Sequence, residues 1–147
     1  MLAAIPPDTD VAPATEHPLL RIREMARKGL APMRPLFDAM APSWALSASP
    51  ECGLLCAVLM SLYGIHSEAA LCDELRGNEL FRWFIGLPPH GSALDPLTLT
   101  QARSRLLRNS AAAEFLADLM SDARRAGLTI DHRFARKMTI VDVAEQT

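Results

Sequence analysis

The stretch SPECGLLCAVLMSLYGI, residues 49–65, constrains the fold more than any other part of the chain. Ser49 suits a helix N-cap, Pro50 the first helical position and Glu51 the first turn, three start signals in succession. The body that follows is apolar on every side, so it carries no solvent face. A helix of that kind is stable when other helices wrap it, which puts Leu54, Leu55, Val58, Leu59 and Leu62 at the centre of a domain. Its longest unbroken apolar run, Cys52 to Met60, is far short of the ~18 residues that would span a bilayer. A soluble core helix is therefore expected, with no membrane contact. With 147 residues in all, the chain can bury roughly 68–70% of its unfolded surface without staples.

Glycine and proline cut the rest into short helical segments, with little period-2 alternation before residue 137. Pro18 opens PLLRIREMARKGL, where Leu19, Ile22, Met25 and Ala26 fall on one side and Arg21, Arg23, Arg27 and Lys28 mostly on the other; Gly29 stops or bends it. RPLFDAM forms a short second helix with Pro35, Leu36, Phe37 and Met40. After the central helix, ended by Gly64, Ser67 caps EAALCDELRG, with Ala70, Leu71 and Leu75 inward and Gly77 as its stop. The expected fold is all-α: a compact multi-helix domain over 17–128, with a helix-turn-helix-like C-terminal part. Residues 1–16 read as a disordered leader without the features of a signal peptide. Residues 129–147 read as a short irregular or strand-like tail.

The segment LFRWFIGLP, residues 80–88, sets Phe81, Trp83 and Phe84 around Arg82. Aromatics interleaved with a basic residue suit either base stacking or a core. On a helix starting after Asn78, Leu80, Phe84 and Leu87 fall at i, i+4 and i+7 with Trp83 beside them, so the rings are expected to face the central helix. Arg82, and an edge of Phe81 or Trp83, would remain exposed.

Beyond the turn HGSALDP, Thr98 and Gln101 form a capping box, and a helix from Leu99 to about Arg108 follows. Leu99, Ala102 and Leu106 point inward, while Gln101, Ser104, Arg105 and Arg108 make a polar stripe at i, i+3, i+4 and i+7 with no acidic interruption. Arg can bond guanine edges or phosphates, Gln can pair with adenine, Ser fits either, and a helix N-terminus favours phosphate. Ser110 caps a last helix with Phe115, Leu116, Leu119, Met120 and Ala123 inward and Gly127 at its end. The net charge is −2, yet residues 1–100 carry 7 basic and 11 acidic side chains and residues 101–137 carry 8 and 4. The later third is thus the better partner for an anion such as DNA.

Other chemistry has little support. The 3 cysteines, Cys52, Cys56 and Cys72, lack zinc-site spacing and are expected as free thiols, although Cys52, Cys56 and His66 lie close in sequence. The histidines His17, His66, His90 and His132 are scattered, and no nucleophile motif or phosphate loop occurs. Catalytic and metal residues are therefore expected to be absent.

The order HPLLRIREM, PLFDAM, SPECGLLCAVLMSLYGIHSEAALCDELRGNELFRWFIGLP and TLTQARSRLL resembles the N-terminal domain of bacterial insertion-sequence transposases of the InsH type. The family's pattern matches at Tyr63, at Ser67 and Glu68, from Asn78 to Leu87 and from Asp95 to Leu106, within a span from about His17 to Phe134. The resemblance implies an all-helical domain that helps bind double-stranded DNA at the element's terminal inverted repeats. It also implies a following ribonuclease-H-like domain whose two aspartates and glutamate hold two divalent ions, Mg in the parent family. That domain is not matched here. Lys137 stands where the first catalytic aspartate belongs, Met138 replaces the glycine, and a shifted register through Asp142 fails at Val143 and Ala144. A truncated remnant is expected before a retained separate DNA-binding piece, in either case without a cofactor.

These readings converge on a catalytically inactive DNA-binding domain with Gln101, Arg103, Ser104, Arg105 and Arg108 at the DNA. It would be cytoplasmic, and nucleoid-associated when bound to DNA. The alternative, from a different class, is a helical interaction module that oligomerises with itself or with a full-length transposase, because a missing partner domain leaves apolar surface to cover.

Overall fold

The computed structural model describes residues 17–44, 48–88, 91 and 94–128. The expected leader, the tail, and the positions Lys137, Met138 and Asp142 lie outside the described residues. Within them the fold is all-α: α1 (Pro18–Leu30), α2 (Arg34–Met40), α3 (Pro50–Tyr63), α4 (Glu68–Leu75), α5 (Glu79–Ile85), α6 (Pro96–Leu107) and α7 (Ser110–Arg125). Among the described residues no single helix is long and apolar enough to cross a membrane.

The central helix behaves as its composition requires. Ser49 Oγ accepts a hydrogen bond from Cys52 N at 3.1 Å, Pro50 occupies the first turn, and Gly64 closes the helix in the left-handed region. Pro50 and every residue from Cys52 to Met60 are buried, and α2, α5, α6 and α7 pack around this helix. Each fully buried leucine there contributes roughly 1.5–3 kcal/mol. The aromatic segment closes one side. Leu80, Phe81, Trp83, Phe84 and Ile85 are all buried, and the Phe81 ring lies 4.7 Å from that of Tyr63 on α3.

Proline shapes the first third. Pro32 and Pro42 lie in 3-10 turns, Ala31–Met33 and Ala41–Ser43, that end α1 and α2, because proline supplies no N–H and crowds the preceding turn. Helix α1 runs one residue past Gly29, to Leu30. The glycine is there for packing: a Cβ on it would sit 2.9 Å from Cε1 of Phe115 on α7. Hence α1 and α7 approach closely.

Several expectations change on local physics. Helix α6 begins three residues before Leu99, because Asp95 and Pro96 repeat the cap-proline signal of Ser49 and Pro50. Asp95 Oδ2 accepts from Thr98 N at 2.9 Å and from Thr98 Oγ1 at 2.7 Å, so Thr98 is a partner of the cap and not the cap itself. Likewise Asn109 caps α7, accepting from Ala111 N and Ala112 N, and Ser110 is already helical. Ala70 is exposed, whereas Glu68 on the same helix is buried. Arg82 is 2% exposed, not a surface residue: Nε donates to Pro88 O at 2.6 Å and Nη1 to Leu75 O at 3.3 Å. It ties the last residue of α4 and the loop after α5 to α5.

Candidate nucleic-acid interface

The candidate site is the outer side of α6. Asp95 and Pro96 start it, and Leu99, Ala102 and Leu106 bury its inner side, which packs on α3, α4 and α7. Gly53 makes the α3 crossing close. A Cβ there would lie 3.1 Å from Leu106 Cδ1 and 3.2 Å from Trp44 Cζ2. A larger residue would push α6 outward or displace Trp44.

The five candidate side chains separate into distinct environments. Gln101, Ser104 and Arg108 are exposed. Arg105 is half-buried, with its guanidinium carbon 5.8 Å from the centre of the Trp44 ring. Trp44 is itself fixed, its Nε1 donating to Ala48 O at 2.8 Å. The ring is therefore a shelf along which Arg105 lies. Arg103 turns the other way: its Nε donates to Glu68 Oε2 at 2.5 Å, joining α6 to α4. Burial works to raise the Glu68 pKa, but the hydrogen bond from Arg103 and the positive charge behind it hold the carboxyl below its usual range. Arg103 is thus placed as an interhelical brace, while Gln101, Ser104 and Arg108 share an open face with Arg105 along one edge.

Electrostatics divide the helix along its length. The Asp95 carboxylate occupies this end, accepting from Thr98 N, and adds a negative charge there, and its own pKa is lowered by hydrogen bonds from the Thr98 hydroxyl and backbone. The N-terminal end is therefore unsuited to phosphate, contrary to the simple helix-dipole argument. Positive charge lies in the last turn, at Arg105 and just beyond at Arg108. The exposed side of α7 is different in character, with Glu114 and Asp118 in solvent. These carboxylates line a groove of about 430 Å³ against α1, floored by Met25, Met33, Phe115 and Leu119. DNA would be repelled there.

The connections differ from a compact helix-turn-helix. Residues 86–95 join α5 to α6, against the three- or four-residue turn of that motif. Helices α6 and α7 are joined through Arg108 and Asn109.

Cys52, Cys56 and Cys72 are free and buried. The Cys52 hydrogen bond, then burial, raises the Cys56 pKa well above that of an ordinary thiol, and burial takes Cys72 to about 11, so neither is a thiolate at neutral pH. Among the described residues, no three His, Cys, Asp or Glu side chains gather where they could hold a metal.

Sequence patterning did not locate Trp44, Glu68 or Gly53 as supports of the face. The Asp95–Pro96 pair was the one legible signal for the true start of α6. The others depend on contacts between helices distant in sequence.

A family model described as Transposase domain (DUF772) matches residues 9–105, a span that takes in α1 to α5 and α6 as far as Arg105. No curated protein and no solved structure matches the chain.

Proposed function

The chain belongs to the Transposase domain (DUF772) family, and from that membership we propose that residues 17–128 form a DNA-binding unit for the terminal inverted repeats of an insertion element. The reading follows the resemblance to InsH-type transposases and gives the chain no strand cleavage of its own. The observation that carries it is the outer face of α6, where Gln101, Ser104 and Arg108 are exposed together and Arg105 lies along the edge. That face has polar groups for base edges at its middle and positive charge for phosphate at its C-terminal end. In the proposed complex the middle of α6 lies in the major groove while Arg105 and Arg108 meet the backbone.

A fluorescence-anisotropy titration on a mixed-sequence duplex tests this. Affinity should fall as salt rises, with a slope set by the number of phosphates neutralised. Arg108→Ala should weaken binding for all sequences and flatten that slope by about 0.9. Equal affinity and slope for the two proteins would overturn the assignment of α6. Metal-dependent cleavage of the duplex by the purified chain would overturn the non-catalytic part.

A second reading, an interaction module that pairs with another copy of the chain, draws on the apolar floor of the groove between α1 and α7. It is the weaker reading because, among the described residues, Leu97 is the exposed large hydrophobic side chain, whereas a docking face normally presents several. Light scattering decides it: a concentration-independent monomer removes this reading, and a dimer lost in Met25→Glu supports it.

A further inference from the structure

The base-reading half of α6 has one chemistry left once its committed side chains are set aside. Arg103 is held by Glu68 and the Thr100 hydroxyl donates to Pro96 O at 2.9 Å, while Arg105 stands further along, in the last turn. What remains in the first two turns of the open face is Leu97 and Gln101, at i and i+4 on one side of the helix. Leu97 is 67% exposed, while every other leucine among the described residues is buried or half-buried. Asp95, just ahead of it, makes this end unsuited to phosphate. An aliphatic group and a carboxamide one turn apart, in a region poor in positive charge, fit the edges of bases and not the backbone.

We infer that Leu97 and Gln101 make α6 a reader of A·T pairs, Leu97 lying against a thymine C5-methyl and Gln101 bonding N6 and N7 of an adenine. This rests on the DNA-binding reading of α6 and names its sequence class. The chemistry is selective because the C5-methyl is the apolar feature of the major groove, and the carboxamide matches the donor and acceptor of adenine. Guanine is the base that Arg or Lys reads best, and no such side chain stands on this half of the open face. The i to i+4 rise of ~6 Å corresponds to about two base steps of 3.4 Å, so the thymine and the adenine lie close together in the site.

The test begins with selection of duplexes bound by the full chain from a randomised pool, which should enrich a short A·T core. Replacing one core thymine with deoxyuridine removes only the methyl. Wild-type binding should fall about fourfold at the position Leu97 reads, the value of one buried methyl. Leu97→Ala should be insensitive to that replacement, and because Leu97 is exposed the variant keeps its fold. Gln101→Ala should lose roughly tenfold of its preference for adenine at the neighbouring position. A G·C core, or equal deoxyuridine sensitivity in wild type and Leu97→Ala, overturns the inference and leaves DNA binding intact. No retained duplex at all overturns the DNA-binding reading together with it.

Discussion

His17 shows how far one side chain ties stability to pH. It is 4% exposed and caps α1, its Nδ1 accepting from Leu19 N at 3.1 Å, and burial lowers its pKa to about 4. In the unfolded chain the imidazole takes its proton near pH 6.5, while the folded chain refuses it until near pH 4. The stability this group contributes is therefore full above pH 6.5 and is lost as pH falls from there to about 4. His17→Asn keeps a capping oxygen without the titration, so urea midpoints of the variant should change less across that window than those of the wild type. Glu68 has the same sign lower down, because Arg103 depresses its pKa. Arg82 makes a sharper demand. Arg82→Met removes the donors to Pro88 O, on an exposed residue, and to the buried Leu75 O, and stranding that one buried carbonyl should cost about 1–3 kcal/mol in denaturant unfolding. The inward leucines of the amphipathic helices, Leu19, Leu71, Leu75, Leu99, Leu106 and Leu119 among them, were legible in the sequence because periodicity reports them. Arg82 was not, since its partners are carbonyls six and seven residues away, at the last residue of α4 and in the loop after α5, where no helical period points.

At the scale of elements, capping chemistry was readable and contact between helices was not. Ser49, Ser67 and Asn78 each cap the helix that follows, as their positions imply. Asp95 and Pro96 carried the same signal, but Thr98 with Gln101 offered a competing cap one turn later, and the carboxylate won by accepting from both the backbone and the hydroxyl of Thr98. The support of α6 involves Gly53, Trp44 and Glu68, which lie 35 to 61 residues away from the side chains they hold and leave no local pattern. Two substitutions check that support. Gly53→Ala should destabilise by about 1–3 kcal/mol from overpacking against Leu106 and Trp44, although alanine in an open helix would gain ~1 kcal/mol. A double-mutant cycle of Glu68→Gln and Arg103→Gln should show a coupling of about 1 kcal/mol or less, since Arg103 is partly in water. Arg103→Gln should also leave the salt slope of DNA binding unchanged, as expected of a brace between α4 and α6.

Across the whole molecule, the all-α architecture was legible because the uniformly apolar α3 admits few alternatives to being wrapped by helices. The surface was legible only in part: the excess of basic residues after residue 100 was visible, but not that α7 presents Glu114 and Asp118 to solvent while α6 presents Gln101, Ser104 and Arg108. On the proposed reading that separation sets a DNA-facing side on α6 apart from the acidic side of α7. The central claim, that DNA binds the α6 face, is tested most directly by the salt dependence of duplex binding in two variants. Arg105→Ala/Arg108→Ala removes charge from α6, and Arg124→Ala removes an exposed charge from α7. The double variant should bind more weakly, with a log–log salt slope flatter by about 1.8 at two phosphate contacts. Arg124→Ala should match the wild type in slope. An unchanged slope in the α6 variant, or an equal loss from the α7 variant, would contradict the account.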